Sequence, residues 1–98
     1  MLHFEWDENK NKLNQQKHNI TFEDATDIFN DENRLEYSSD RKEEARNFTI
    51  GKAFMAIISV IYTTRNLVIR IISARRASQD ERRIYLSHKL KNKKNGES

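Results

Sequence analysis

Ninety-eight residues suffice for one compact domain and are too few for two. Hydrophobic residues make up 36% and charged residues 34%, so the core must be thin; the longest apolar stretch, residues 53–62, is strand-length and excludes a transmembrane helix. Cysteine is absent, which removes disulfides, thiolate catalysis and cysteine-ligated zinc.

The net charge of +3 is unevenly divided: residues 1–50 carry 7 Lys/Arg against 12 Asp/Glu, and residues 51–98 carry 11 against 3, a balance of +8. A basic half points to an anionic partner, nucleic acid before acidic protein, or else to a solvated basic face and tail. The N-terminal residues lack the basic-then-apolar layout of a secretion signal, so a cytoplasmic location is expected, with no membrane partner.

In chain order, Leu2, Phe4 and Trp6 alternate with His3 and Glu5 at the period of a half-buried strand. Asp7 offers an N-cap to a polar helix over residues 8–17, with Leu13 as its one apolar anchor and Asn19 suited to a left-handed stop. Thr21 to Asp24 reads as a variant capping box, stapled by Ile20 and Ala25. The helix it opens, to about residue 30, places Phe22, Ala25, Ile28 and Phe29 on one face.

The pattern then turns to strands: a weak one at 35–38, a better one at 46–50 and a turn at Gly51-Lys52. An apolar, hence central, strand at 53–62 follows, then a connection at 63–66 without glycine and a return strand at 67–73. Ser78 to Glu81 is a capping box opening a last helix to about residue 90, with Ile84, Tyr85 and Leu90 available for packing. The order β-α-α-β-β-β-β-α predicts an α+β fold, a small antiparallel sheet with two N-terminal helices and a C-terminal one. Residues 1–90 are expected to form the single domain and 91–98 a charged, flexible tail.

Some side chains stand out chemically. Arg70 falls in the middle of a strand, on the face of Val68 and Ile72, where it needs either a carboxylate or an open groove with a phosphate in it. Arg75 and Arg76 sit at the strand-to-helix junction, where an anion is favoured; the structural reading has one solvated and the other paired to Asp80 or Glu81. Lys17-His18 closes the first helix, either as a proton-transfer pair or as cations favoured at a helix C-terminus. Glu44 and Arg46 are a base with a phosphate clamp, or an ordinary ion pair.

His3, His18 and His88 have no metal-ligand spacing, and Gly51 and Gly96 alone build no glycine-rich phosphate loop. Phe54 and Tyr62 read as core, leaving no evident stacking platform for bases. An enzyme with this inventory works with Lys, His, Glu and Arg, which suits RNA cleavage, because the substrate's own 2′-hydroxyl is the nucleophile.

These residues resemble the BrnT family of toxins. Phe4 to Asp7, Lys17-His18 with Ile20, Phe22 to Ala25, Phe29 and Asp31 are similar to its N-terminal half, and Glu44-Ala45-Arg46 followed by Gly51 to its Glu-x-Arg…Gly segment. Tyr62-Thr63 with Arg65, the run from Ile69 to Ser78, then Glu81-Arg82 and Tyr85 resemble its most characteristic stretch. The chain departs at Asn19, where the family commonly has glycine, and at the glycine-poor turn Thr64-Arg65-Asn66.

The resemblance implies a RelE-like fold and a type II toxin that is an endoribonuclease; from the residue inventory, no metal or other cofactor is expected. It implies neutralisation by a BrnA-type antitoxin, through which alone operator DNA is contacted. The expected catalytic group is then Lys17, His18, Glu44, Arg46, Arg70 and Arg75, with Arg65 and Arg76 as RNA contacts. Glu44 or His18 would move the 2′-hydroxyl proton, while Arg70 and one of Arg75 and Arg76 hold the phosphate. The antitoxin would cover the basic groove. The alternative is a catalytically degenerate homologue acting only as an antitoxin-binding co-repressor.

Overall fold

A computed structural model describes residues 2–39 and 45–96. The elements are β1 (His3–Glu5), α1 (Glu8–His18), α2 (Phe22–Ala25) continued by a 3-10 turn (Thr26–Asn30), β2 (Leu35–Ser39), β3 (Arg46–Ala53), β4 (Ala56–Arg65), β5 (Val68–Arg76) and α3 (Gln79–Gly96). This is the predicted α+β order. The five strands form one sheet in the order β1-β5-β4-β3-β2, with the apolar β4 at its centre. β2 to β5 are antiparallel, but β1 pairs with β5 in parallel, so the sheet is mixed rather than purely antiparallel. No helix among the described residues is long and apolar enough to cross a membrane.

One face of the sheet carries α1, α2 and the 3-10 turn. Phe22, Ala25 and Ile28 are fully buried there against Ile58, Val60, Tyr62, Ile69, Ile71 and Ala74, as the helical spacing predicts. The second helix tightens to 3-10 geometry from Thr26, which leaves its apolar face intact.

α1 is held differently from expectation. Its cap is the predicted one, Asp7 accepting from the N–H groups of Asn9 and Lys10, and Asn19 ends it at φ 57°. Leu13, however, is 63% exposed, and the residues buried in its place are Asn11 and Asn14. Asn11 Oδ1 accepts from Phe22 N–H and its Nδ2 donates to Glu23. Asn14 Nδ2 donates to the Ile20 carbonyl while its Oδ1 accepts from Ala74 N–H. A helix without an apolar stripe is thereby fixed to β5 by hydrogen bonds that satisfy backbone groups otherwise orphaned by burial.

The turns also shift. Gly51 lies inside β3 and not in a turn, and the reversal comes at Phe54-Met55, with Phe54 at φ 54°. Phe54 is 64% exposed there and is not core. Gly51 is needed because the chain before β2 passes so close: a Cβ would stand 2.9 Å from both Arg34 Cβ and Ile28 Cγ1. Ahead of β2, Asp31 and Asp27 accept from Lys52 N–H and Phe54 N–H, continuing the ladder beyond Leu35–Ile50 with carboxylates. The β4–β5 turn is Asn66-Leu67, both left-handed at φ 51° and 69°, which takes Leu67 out of the return strand expected at 67–73 and leaves it 87% exposed.

On the other face α3 covers only the end formed by Leu35, Ile50 and Ile57, against which it buries Tyr85. The predicted capping box is present in both directions, Glu81 N–H to Ser78 Oγ and Ser78 N–H to Glu81 Oε1. The helix runs on to Gly96 instead of stopping near residue 90, and Ile84 and Leu90, expected to pack, are exposed. Tyr85 also donates its hydroxyl proton to Asp31, tying α3 to the β3 edge. Burial and that hydrogen bond push the Tyr85 phenol above its ordinary pKa. For Asp31, burial alone would raise the carboxyl. The hydrogen bonds from Tyr85, Lys52 N–H and Asn33 N–H outweigh it and hold the group below the usual range.

Candidate nucleic-acid interface

Among the described residues no helix packs on the rest of that second face, and the register decides which side chains stand on it. Ser59 pairs with Arg75, Ile61 with Ser73 and Thr63 with Arg70. Residues 59, 61 and 63 alternate regularly on β4, so Arg70, Ser73 and Arg75 share one face. Arg70 and Arg75 are five apart, an odd separation that a regular strand would put on opposite faces. A bulge, which leaves Ile72 as the extra residue between the pairs Tyr62–Ile71 and Ile61–Ser73, restores the match. On β3, Phe48 pairs with Ile61, which places Phe48 and Arg46 on the same side; Arg65 has the parity of Thr63.

Arg75 is held rigidly. Its Nη1 and Nη2 donate to the two Glu81 oxygens at 2.7 and 2.9 Å, and its guanidinium lies 5.9 Å from the centre of the Phe48 ring. Glu81 also accepts from Ser59 Oγ and Ser78 N–H. The Arg75 hydrogen bonds lead in pushing its carboxyl down to about 2 against the opposing effect of burial, and Arg75 is raised in turn by Glu81. Of the two alternatives at this junction, the structural pairing is therefore present, and Glu81 is its acid. A carboxylate so engaged has no affinity left for a substrate proton. Its contribution to stability should be complete above about pH 4.5, its ordinary value, and decline as pH falls towards about 2. The difference between wild type and Glu81→Gln in urea melts, about 1.5–3 kcal/mol at neutrality and nearer the low end because Arg75 is 42% exposed, should shrink across that window. A difference that stays constant from pH 5 to pH 2 would sink this assignment.

Arg70 is held loosely. Its Nη1 lies 3.5 Å from Glu5 Oε2, with the two side chains 42% and 47% exposed. Such a pair is worth little and yields readily to a phosphate that offers shorter, charge-assisted bonds. Beside Arg75, Phe48 and Tyr37 stand with ring centres 6.0 Å apart and Tyr37 46% exposed. This aromatic pair on the arginine face was missed in the sequence, where Tyr37 looked like part of a weak strand. Tyr62 is core, as predicted.

The remaining candidates separate. Lys17 and His18 lie off this face, in a shallow cleft of about 210 Å³ that also takes in Leu13, Asn14, Ile72 and Ser73, so they reach β5 at the bulge between Arg70 and Arg75. Arg76 pairs with Ile58 on the helical face and lines a cleft with Asn19, Ile20, Asp24 and Phe54. It is on the opposite side of the sheet from Arg75. Glu44 lies outside the described residues.

A scan against protein families matches residues 6–81 to the model described as ribonuclease toxin, BrnT, of type II toxin–antitoxin system. No curated protein matches the chain. The matched segment covers well over half of the sequence and includes β5 with its bulge and the Arg75–Glu81 pair. The chain belongs to the BrnT family of ribonuclease toxins.

Proposed function

We propose that the open sheet face is where this toxin binds and cleaves RNA, as a metal-independent endoribonuclease neutralised by a BrnA-type antitoxin. The observation that supports it is the bulge that turns Arg70 and Arg75 to the same face, one loosely paired and one fixed. Arg70 exchanges Glu5 for the scissile phosphate, and Arg75 presents its unbonded edge to the same group. Phe48 and Tyr37 offer stacking surfaces to flanking bases, and Arg46 and Arg65 extend the cationic face along the backbone. Arg76 contacts RNA only where the strand wraps past the sheet edge.

The reaction is an internal transesterification. The 2′-oxygen attacks phosphorus as its proton passes to His18 or Glu44, the bond to the 5′-oxygen breaks, and that oxygen takes a proton from the group just protonated or from water, giving a 2′,3′-cyclic phosphate. Lys17 and the arginines offset the charge that builds on the phosphorane. Operator DNA is reached only through the antitoxin.

Induced expression of the chain alone should arrest growth and fragment cellular RNA, and co-expression of the protein encoded by the adjacent reading frame should restore both. Growth and RNA that stay normal with the free, folded protein would favour a degenerate homologue retained as a co-repressor.

A further inference from the structure

α3 is 18 residues long, yet of its apolar residues only Tyr85 is buried; Ile84, Leu86 and Leu90 are 49%, 45% and 64% exposed. Most of a helix's stability in a folded protein comes from packing along one face, so one buried side chain is a thin hold. Beside the buried line runs a second one, Ile84, Ser87, His88 and Lys91, at the spacing of a single helical stripe. With Leu35 of β2 and Arg83 it lines a cleft of about 380 Å³. Among the described residues no carboxylate lines this cleft. Arg83 is only loosely engaged, 3.5 Å from Asp80 with both side chains more than three-quarters exposed. β2 is the edge strand of the sheet at this side.

We propose that the cleft between α3 and β2 seats an acidic amphipathic segment of the antitoxin, distinct from the arginine face. An apolar side chain of that segment fills the space between Leu35 and Ile84, and carboxylates on either side meet Arg83 and Lys91. Charge complementarity selects an acidic partner. The apolar walls select a protein over RNA, whose backbone would use the cations and leave Leu35 and Ile84 uncovered. The seat would also supply the packing that α3 lacks within its own domain. This inference rests on the toxin–antitoxin reading but not on the chain being an active nuclease.

The test measures the affinity of the full-length toxin for the purified protein encoded by the adjacent reading frame, with wild type, Ile84→Ser, Lys91→Glu and the double variant. Each single change should weaken the complex at least tenfold and the double change more, and added salt should weaken the wild-type complex. Thermal melts and RNA cleavage by the free variants should match wild type. Ser87→Trp, which adds bulk to the cleft and removes no contact with the core, should reproduce the loss and guards against a folding defect. Affinities within twofold of wild type would overturn the proposal. So would loss of RNA cleavage with antitoxin binding kept, which would make the cleft part of the RNA surface. Loss of binding on Arg70→Ala but not on Ile84→Ser would place the antitoxin on the arginine face and overturn it too. A wild-type protein that binds the partner but does not cut RNA would count against the nuclease reading alone.

Discussion

Arg70→Ala is expected to lower RNA cleavage by about 10²–10³-fold, the usual loss when one donor to a developing oxyanion is removed. The fold should tolerate the change, because Arg70 is 42% exposed and, among the described residues, its ion pair is the loose 3.5 Å contact with Glu5. The two effects can therefore be read apart: melts unchanged, cleavage nearly gone. Glu5→Gln supplies the converse. It frees Arg70 without removing it, so cleavage should hold or rise while substrate binding tightens. If Arg70→Ala, folded normally, cuts RNA at the wild-type rate, the arginine face is not the reaction site.

The largest expected loss of stability comes from a residue far from that face. Asn14→Ala removes the hydrogen-bond partner of two backbone groups, the buried Ala74 N–H and the part-buried Ile20 carbonyl. At about 1–3 kcal/mol for a buried unsatisfied group, and about 1 kcal/mol for the part-buried carbonyl, the cost should be about 2–4 kcal/mol in denaturant melts. Leu13→Ala, one position away but 63% exposed, should cost only a few tenths. Equal effects at the two positions would mean that apolar packing and not the asparagine pair secures α1.

Most of the architecture was legible because its signals are local. Asp7 and the Ser78–Glu81 box cap helices where their spacing says they should, and the doubly apolar β4 is the central strand. What the sequence concealed are effects of contact between distant segments. Leu13 looks like an anchor to any hydrophobicity argument, whereas Asn11 and Asn14 look like solvent-facing residues until Phe22 and Ala74 are brought against them. Gly51 reads as a turn residue because glycine favours turns; its use here is to admit Ile28 and Arg34. The parallel pairing of β1 has no sequence marker at all.

The candidate site was legible as a set of residue types and not as a surface. Strict alternation puts Arg70 and Arg75 on opposite faces, and only the bulge at Ile72 reverses that. The same count sends Arg76 to the helical side. Glu81 was visible as a capping residue and, with Asp80, as an acid for Arg75 or Arg76; which acid takes which arginine needed the strand and helix in place. Tyr37 and Phe48 were too far apart in the chain to suggest a pair.

The parallel strand has a further consequence, for the order in which this molecule comes into being. His3 pairs with Val68 and Glu5 with Arg70, so the first strand made must wait for the last before it finds its place. Contacts between such distant segments form late, since the chain must close a long loop before they reward it. Arg70 and Arg75 themselves lie on that last strand. A nascent chain therefore carries no assembled arginine face until β5 has been made and paired.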